Sequence, residues 1–383
     1  MDVVLCAAVV ALIGFGVVMV YSASAFDGTV RFGDPQYYLR RQGIYAGLAL
    51  VVVFVTSRID YHRLRVLTYP LIVAVVGLML ATILGLGHRA GNAYRWLAIG
   101  PVHVQPAELA KVALVLWLAY SLSKKSDRIR TFTVGFLPHL LMAGLLMALC
   151  LKQPDFGSAV VLLLLTFSMM FVSGVRLPYI VSFAAVLGVL GTIAVRFSGY
   201  RYARYLSWLD MEQHRQDLAY QPFQAAMSFG SGGLFGVGLG RGLQVLYLPE
   251  AHTDFVAAII GEELGFVGVC ALTGIFGIVV ARGIKIAFEA ADDYGSYLAF
   301  GLSMLFGMQV LINLSVAMAI LPTKGLTLPL ISYGGSSLLV SAAAIGILLN
   351  VSRSRSVVRA SVEAVGPEPS ASVVVAASAE EAS

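Results

Sequence analysis

Charged side chains are scarce in this chain of 383 residues, of which 12% are Asp, Glu, Lys or Arg, about half of the ~25% usual in soluble domains. Cysteine is also rare. Cys6, Cys150 and Cys270 lie in apolar stretches without metal-ligand spacing, which argues against a disulfide framework and a zinc site. The H-E-x-x-H motif and the nucleophile elbow are absent, which disfavours zinc-peptidase and serine-hydrolase chemistry.

Apolar residues make up 58% of the chain, and its mean hydropathy is +0.84. They form long runs rather than amphipathic stripes, and an apolar run of ~20 residues predicts a transmembrane helix. The period-2 alternation of barrel strands is absent. We therefore predict an all-α polytopic membrane protein, because only helices and closed barrels satisfy their backbone in lipid. Ten helices are predicted, at about 3–24, 42–57, 67–87, 106–122, 134–151, 157–173, 178–197, 255–281, 295–319 and 336–351.

An even number of helices places both termini on one side of the membrane. Lys and Arg are more frequent in the loops on that side, so the positive-inside rule predicts that both termini are cytoplasmic. The long loop at about 198–254 is then extracytoplasmic. Residues 1–352 form the predicted membrane domain, and the tail at 353–383 is predicted to be disordered and cytoplasmic. The net charge of +5 comes from these basic loops and does not imply binding to nucleic acid.

One carboxylate lies where the long loop becomes a membrane helix, in the segment Tyr-Leu-Pro-Glu-Ala-His-Thr-Asp-Phe at 247–255. Partial desolvation at this place raises the pKa of an aspartate, which suits Asp254 to the role of general base. The alternative is that Asp254 or Thr253 simply caps the following helix. His252 of the same segment is a candidate substrate-binding residue.

Two further groups of charges lie near predicted helix ends. Glu108 and Lys111 are three residues apart at the start of the fourth helix, so they share a face and can pair. With Arg95 nearby, the pair suggests a pocket for a phosphate, and a purely structural pair is the alternative. Asp155 follows Pro154 before the sixth helix, where it either caps that helix or belongs to the site.

The segment 321–337 contains two prolines and three glycines at apparent membrane depth. Irregular backbone is tolerated there only where it is buried in protein or lines a cavity. Lys324, Ser332 and Ser336 are therefore candidates for contact with an anionic headgroup, and an ordinary re-entrant turn is the alternative. The stretch 230–242 has seven glycines in thirteen residues but no nucleotide-binding pattern. It predicts close backbone packing or a mobile substrate loop.

Together these motifs resemble the SEDS family of bacterial shape, elongation, division and sporulation proteins. The segment 247–255, Glu-Glu-Leu-Gly at 262–265 and Ile-Ser-Tyr-Gly-Gly-Ser-Ser at 331–337 carry the resemblance. Gln-Pro-Ala-Glu-Leu-Ala-Lys at 105–111 and Gln-Pro-Asp-Phe-Gly at 153–157 are similar to earlier family motifs. The matches span about residues 90 to 350 in the family order, and Pro-Thr-Lys-Gly at 322–325 resembles the FtsW and SpoVE branches more than RodA.

The resemblance implies a glycosyltransferase that polymerises peptidoglycan strands from lipid II in septal wall synthesis. The transfer inverts the donor carbon, forms a MurNAc-β-1,4-GlcNAc bond and releases undecaprenyl pyrophosphate. Asp254 is then the expected base, and Arg95, Lys111 and Lys324 are expected to face the pyrophosphate, with Glu108 orienting Lys111. A divalent cation, Mg²⁺ or Mn²⁺, is a further expectation.

The resemblance also implies the septal inner membrane of a bacterium and a complex with a class B penicillin-binding protein, an FtsI-like transpeptidase, and other division proteins. Small residues on the eighth and ninth predicted helices, Gly261 with Gly265 and Ser303 with Gly307, either dock that partner or pack within the bundle. Two other functions stay open, namely a lipid II flippase and a non-catalytic division scaffold.

Overall fold

The computed structural model describes residues 1–90, 93–100, 102–323 and 325–365. The described chain is a bundle of α-helices with one small antiparallel sheet. The helices are α1 (Val3–Phe32), α2 (Tyr37–Arg58), α3 (Leu64–Ala81), α4 (Pro106–Lys124), α5 (Leu137–Lys152), α6 (Phe156–Val172), α7 (Leu177–Arg196), α8 (Gly199–Leu209), α9 (Tyr220–Gly232), α10 (Val256–Phe288), α11 (Asp293–Ala317) and α12 (Gly335–Val365).

The predicted membrane helices are all present. Within the described residues, nine helical segments are long and apolar enough to cross a membrane, and α6 is apolar but shorter, with 17 residues. Together these ten segments coincide with the ten predicted helices, and the chain is a multi-pass membrane protein. Helices α8 and α9 are additional, and both lie in the loop at 198–254, which the sequence analysis left without secondary structure.

The connection between α3 and α4 contains a three-stranded sheet that the sequence analysis did not predict. Strands β1 (His88–Ala90), β2 (Ala93–Ile99) and β3 (Val102–Val104) pair in the order β1-β2-β3. Both pairings are antiparallel, and Leu97 of β2 lies opposite Val104 of β3. Strand β2 carries Arg95, one of the candidate site residues.

Small residues bring the central helices close together. A side-chain carbon at Gly261 of α10 would overlap the ring of Phe229, and one at Gly283 of α10 would overlap the hydroxyl of Ser303 on α11. These contacts are internal to the chain. The expectation that such residues pack within the bundle is therefore confirmed for Gly261 and Ser303, and docking of a partner on these two helices stays a prediction.

The last membrane span, Gly335–Ser354, ends close to the predicted domain boundary at residue 352, and the helix that contains it continues beyond the span. Helix α12 continues to Val365, so the predicted boundary at residue 352 falls inside a helix. A run of Ser and Arg after residue 352 hid this continuation, because such residues are common in loops as well as at helix ends. Residues 366–383 lie outside the described residues, and their disorder stays a prediction.

Candidate functional site

Four connections that carry the candidate residues lie at one end of the bundle. Successive membrane helices run in opposite directions, so the links α3–α4, α5–α6, α9–α10 and α11–α12 emerge on the same side as the loop at 198–254. We call this end the loop face. Arg95, Asp155, Asp254 and the segment 321–337 all belong to it, although up to about 240 residues of sequence separate them.

Asp254 lies at the loop face directly before α10, and it does not cap that helix. The N-cap position is Phe255, which contributes no side-chain hydrogen bond, and the hydroxyl of Thr253 donates to Glu250 at 3.0 Å. The capping alternative for Asp254 and Thr253 is therefore wrong. A side-chain carbon at Gly325 would lie 2.7 Å from Oδ2 of Asp254, so the carboxyl packs against the last loop.

Two hydrogen bonds join the segment around Asp254 to the last loop. The side-chain amide of Asn313 on α11 donates to the carbonyl of Asp254 at 3.0 Å and to that of Leu326 at 2.6 Å. The backbone N–H of Tyr333 donates to the carbonyl of His252 at 2.9 Å. Since both segments are irregular and partly buried, these bonds satisfy backbone groups that would otherwise be costly. They also fix Asp254 relative to the last loop.

The environment of Asp254 favours a carboxyl that takes up a proton near neutral pH. Desolvation in the half-buried site raises its pKa to about 7, and the negative charge of Glu250 raises it as well. The positive charge of Arg95 lowers it in part, and Asp155 raises it. A base with a pKa close to the working pH is the most effective in proton transfer, so this carboxyl meets the electrostatic requirement for a general base.

His252 is buried between two aromatic rings. Its ring centroid is 4.6 Å from that of Tyr38 and 5.5 Å from that of Tyr333. Burial lowers the pKa of His252, so the imidazole is neutral at pH 7. Its contacts are those of a packed residue that supports the loop, and its predicted contact with substrate stays a prediction.

Arg95 and Asp155 meet at the turn between α5 and α6. Arg95 donates from Nε to the carbonyl of Gln153 at 3.0 Å and from its guanidinium to the carbonyl of Pro154. Asp155 accepts from the backbone N–H of Ser158 at 3.0 Å, so it caps α6. The capping interpretation of Asp155 is confirmed, and its charge nonetheless acts on Asp254, as does that of Arg95.

Glu108 and Lys111 form a buried ion pair in the first turns of α4. The distance from Nζ of Lys111 to Oε1 of Glu108 is 2.7 Å, and the exposed fractions of the two side chains are 1% and 6%. The predicted pairing is confirmed. Because the ammonium is enclosed and its charge is matched by Glu108, the pair in this conformation is an element of the bundle interior near the loop face.

The last loop uses part of its hydroxyl groups to hold its own shape. Ser332 accepts from the backbone N–H of Leu328 at 2.9 Å, and Thr327 and Ser337 share a hydrogen bond of 2.8 Å. The hydroxyl of Ser336 is buried and finds no hydrogen-bond partner among the described residues. Ser336 is therefore freer than Ser332 to bind a ligand. Lys324 lies outside the described residues, so its predicted role is not addressed by the structure.

A pocket that the sequence did not predict lies beside the segment 247–255. It measures about 170 Å³ and lies between the end of α1 and residues 245–252. Asp27 and Arg31 line it and form an ion pair at 2.7 Å, and Tyr38 donates to Asp27 at 2.8 Å. The predicted first helix ended at residue 24, whereas α1 continues to Phe32. The spacing of Asp27 and Arg31, four residues apart, was the available signal.

The expected divalent cation has no ready-made site in the part of the chain that is described. No group of three or more His, Cys, Asp or Glu side chains there could hold a metal ion. Mg²⁺ commonly binds through one or two carboxylates together with substrate phosphates, so a site completed by substrate needs fewer protein ligands than a closed metal centre. The described residues do not by themselves fit a closed metal centre.

Fold and site together define a polytopic membrane protein. At its loop face, Asp254 has a pKa of about 7 and lies among irregular loops, within electrostatic range of Arg95. The model of the FtsW, RodA and SpoVE family, described as "Cell cycle protein", matches residues 3–357. The chain belongs to this family.

Curated relatives agree over nearly the whole chain. "Probable peptidoglycan glycosyltransferase FtsW" of Trichlorobacter lovleyi is 45% identical over 353 residues, which cover 92% of this chain and 93% of that protein. The protein of the same name from Coxiella burnetii is 40% identical over 348 residues, covering 89% and 93%. This similarity is to the FtsW branch, as the Pro-Thr-Lys-Gly motif predicts.

Solved structures show the same fold. A chain from a structure described as "Structural coordination of polymerization and crosslinking by a peptidoglycan synthase complex" superposes with a TM-score of 0.78 at 33% identity, covering 92% of this chain and 98% of that one. The rod shape determining protein RodA of Thermus thermophilus gives a TM-score of 0.69 at 32% identity, covering 92% and 97%.

Proposed function

We propose that this chain extends peptidoglycan strands from lipid II, with Asp254 as the general base. The chain is a peptidoglycan glycosyltransferase of the FtsW type, in keeping with relatives that are 40–45% identical to it. The single observation that carries the assignment of the base is the desolvated carboxyl of Asp254, whose pKa of about 7 lies far above that of an ordinary aspartate.

The reaction joins two lipid-linked sugars. The 4-hydroxyl of the acceptor GlcNAc attacks C1 of the donor MurNAc, and the new C1–O bond forms as the bond from C1 to the pyrophosphate oxygen breaks. Asp254 takes the hydroxyl proton, and undecaprenyl pyrophosphate leaves with the electron pair of the broken bond. Inversion at C1 follows from this single in-line displacement, and no covalent enzyme intermediate is needed.

The leaving pyrophosphate requires positive charge opposite the base. Among the described cations, Arg95 is the best placed, because its charge acts on Asp254 and its donors meet neutral carbonyls rather than a carboxylate. Ser336 offers a hydroxyl without a hydrogen-bond partner among the described residues. Lys324 remains part of the proposal on the resemblance alone, as does a divalent cation, through which we derive no step.

The setting of the reaction follows from the same family resemblance. We place the loop face outside the cytoplasm and both termini inside it, at the division septum of the bacterial inner membrane. The partner is a class B penicillin-binding protein. A chain of this fold occurs in the structure described as structural coordination of polymerization and crosslinking by a peptidoglycan synthase complex. This supports a complex between a polymerase and a crosslinking enzyme.

Replacing Asp254 with Asn tests the proposal. The Asp254→Asn side chain keeps its size but cannot accept the proton, so strand formation from lipid II by purified protein in detergent is expected to fall at least ~100-fold. A matched control is Glu212→Gln, which removes an exposed carboxylate from the same loop, paired with Arg215 at 2.9 Å.

The outcomes separate the competing functions. Wild-type rates in Asp254→Asn would remove Asp254 as the base. A flippase would make no polymer in detergent even as the wild-type protein, because flipping is defined by the two sides of a membrane. A pure scaffold would support growth with Asp254→Asn as long as the variant still bound its partner.

A further inference from the structure

Helix α10 is broken where the glycine-rich stretch meets it. At Gly265 the backbone has φ 67° and ψ −167°, so the helix unwinds there. The glycine-rich stretch 230–242 lies in this break and receives the unpaired backbone groups. Four backbone hydrogen bonds of 2.9–3.1 Å join the two segments: Val237 N–H to Glu262, Gly238 N–H to Glu263, Phe266 N–H to Gly233 and Val267 N–H to Leu234.

The glycines of this stretch serve close packing. A side-chain carbon at Gly236 would overlap the backbone of Glu263, and one at Gly265 would overlap the backbone of Gly236. Both residues also have positive φ, which favours glycine. Of the two expectations for the stretch, close backbone packing is therefore confirmed in the structure.

Two adjacent buried glutamates complete the junction: Glu262 is 2% exposed and Glu263 is 1% exposed. Oε1 of Glu262 accepts the backbone N–H groups of Leu243 at 2.8 Å and Gln244 at 3.2 Å. Glu263 accepts the hydroxyl of Ser22 on α1 at 2.5 Å. A buried carboxylate is costly unless it is hydrogen-bonded. The turn at 243–244 and the carboxylate of Glu262 therefore hold each other in place.

Local hydrogen bonds lead from this turn to the catalytic carboxyl. The short 3-10 helix Gln244–Leu246 follows directly, and the N–H of Leu248 donates to the carbonyl of Gln244 at 2.8 Å. The side chain of Leu248 is buried, and the N–H of Asp254 donates to the carbonyl of Glu250 at 3.2 Å. Only the nine residues 245–253 separate Gln244 from Asp254, so the position of the turn constrains the position of the carboxyl.

We propose that Glu262 is a positioning residue, which holds the turn 243–246, and with it the segment that carries Asp254, against the broken part of α10. Glu262 itself does not contact the reacting atoms in this inference. The inference rests on the proposed function, in which Asp254 is the base. Its consequence is that loosening the turn changes the setting of Asp254 while the helices of the bundle stay folded.

Two variants loosen the turn from opposite sides. Glu262→Gln keeps the length of the side chain but replaces one acceptor oxygen with an NH₂ group, which cannot accept from the backbone. Gly242→Ala keeps the carboxylate but places a carbon 2.8 Å from Oε2 of Glu262. The matched control is Asp2→Asn, which removes a buried carboxylate paired with Arg282 at 2.6 Å at the opposite end of the bundle.

A spin label reports the position of the segment without reference to activity. Tyr247 is 56% exposed, so a nitroxide on Tyr247→Cys, with Cys6 and Cys270 replaced by Ser, samples the mobility of the segment. We expect a more mobile spectrum in Glu262→Gln and Gly242→Ala and an unchanged one in Asp2→Asn. An unchanged spectrum in both loop variants overturns the proposal.

Kinetics with lipid II give the second readout. We expect kcat to fall roughly 10- to 100-fold, as displaced catalytic groups do, with little change in KM. The acid limb of the pH profile should move to lower pH, because a loosened segment is better hydrated and desolvation is the main cause of the raised pKa of Asp254. The charged groups that face Asp254 are Glu250 and Asp155, which raise its pKa, and Arg95, which lowers it. Their effects oppose one another, so hydration sets the direction. A purely structural role would lower the yield of folded protein and leave this limb in place.

The two hypotheses fail separately. If Asp254→Asn remains active while the label is released in Glu262→Gln, the proposed base is wrong and the bracing of the segment stands. In the opposite case, Asp254→Asn is inactive, but the spin-label spectrum, kcat and the acid limb of the pH profile are unchanged in both loop variants. The proposed base is then retained, and the positioning role of Glu262 is refuted. Should Glu262→Gln not fold, Gly242→Ala carries the test with the carboxylate intact.

Discussion

The buried pair of Glu108 and Lys111 makes a quantitative prediction about stability. Its atoms are 2.7 Å apart and its side chains are 6% and 1% exposed, so neither charge reaches water when its partner is removed. Glu108→Gln alone or Lys111→Met alone should cost about 3–5 kcal/mol, which corresponds to a change of more than ~100-fold in the folding equilibrium. Both substitutions approximately preserve side-chain volume, so the cost reflects charge.

The double variant is expected to regain most of this loss, because replacing both members of a buried pair with neutral groups is often close to neutral. Unfolding of the detergent-solubilised protein, followed by tryptophan fluorescence, gives the three differences in the free energy of unfolding. Their non-additivity should be on the order of 3 kcal/mol. Additive effects of the single substitutions would refute the claim that these residues interact.

Activity in the same double variant separates structure from catalysis. If the pair is only an element of the interior, stability and polymerisation return together. If Lys111 leaves Glu108 and meets the pyrophosphate during the reaction, stability returns and polymerisation does not. The structure favours the first outcome, because the ammonium is enclosed and already matched.

Two further predictions concern Asp254. Polymerisation should fall about tenfold per pH unit below pH 7 and level off above it. A base with a pKa of about 7 becomes protonated, and so inactive, as the pH falls through that value. An inflection near pH 4 would contradict the desolvated site. Gly325→Ala should lower activity without lowering the thermal stability, since the added carbon lies 2.7 Å from Oδ2 of Asp254. The control is Gly274→Ala, which should be neutral because no atom lies within 4 Å of the added carbon.

The membrane helices were predictable because the bilayer imposes one dominant requirement on them. A run of about 20 apolar residues satisfies its backbone only as a helix, and each of the ten runs did so. The strands β1–β3 and the helices α8 and α9 lack such a constraint. They are short and mixed in polarity, and they form because the bundle holds their ends, which no local pattern records.

Single residues of the site were predictable where chemistry marks them locally. Asp254 and Asp155 were identified as charges beside predicted helices, and Arg95 as a neighbour of the Glu108–Lys111 pair. Because 60 to 159 residues separate the three along the chain, only the family resemblance, and no local pattern, placed Arg95 and Asp254 in one site. The pairing of Glu108 with Lys111 was predictable because helical spacing fixes it. The contact of Glu262 with Leu243 was not, because it depends on where a broken helix receives a distant glycine-rich stretch.

Arg95 and Lys111, two candidate cations for the pyrophosphate, have different partners in the structure, and this difference indicates which of them is available to the pyrophosphate. The ammonium of Lys111 is paired with Glu108 in a site closed to water. If it moved to the substrate, it would leave the buried carboxylate of Glu108 unpaired. Arg95 donates to two backbone carbonyls, which orient the guanidinium without neutralising its charge. Its field already reaches Asp254. An anionic leaving group near that carboxyl would therefore gain more from Arg95 than from Lys111, so Arg95, on the sheet that the sequence did not predict, is the stronger electrostatic partner of Asp254.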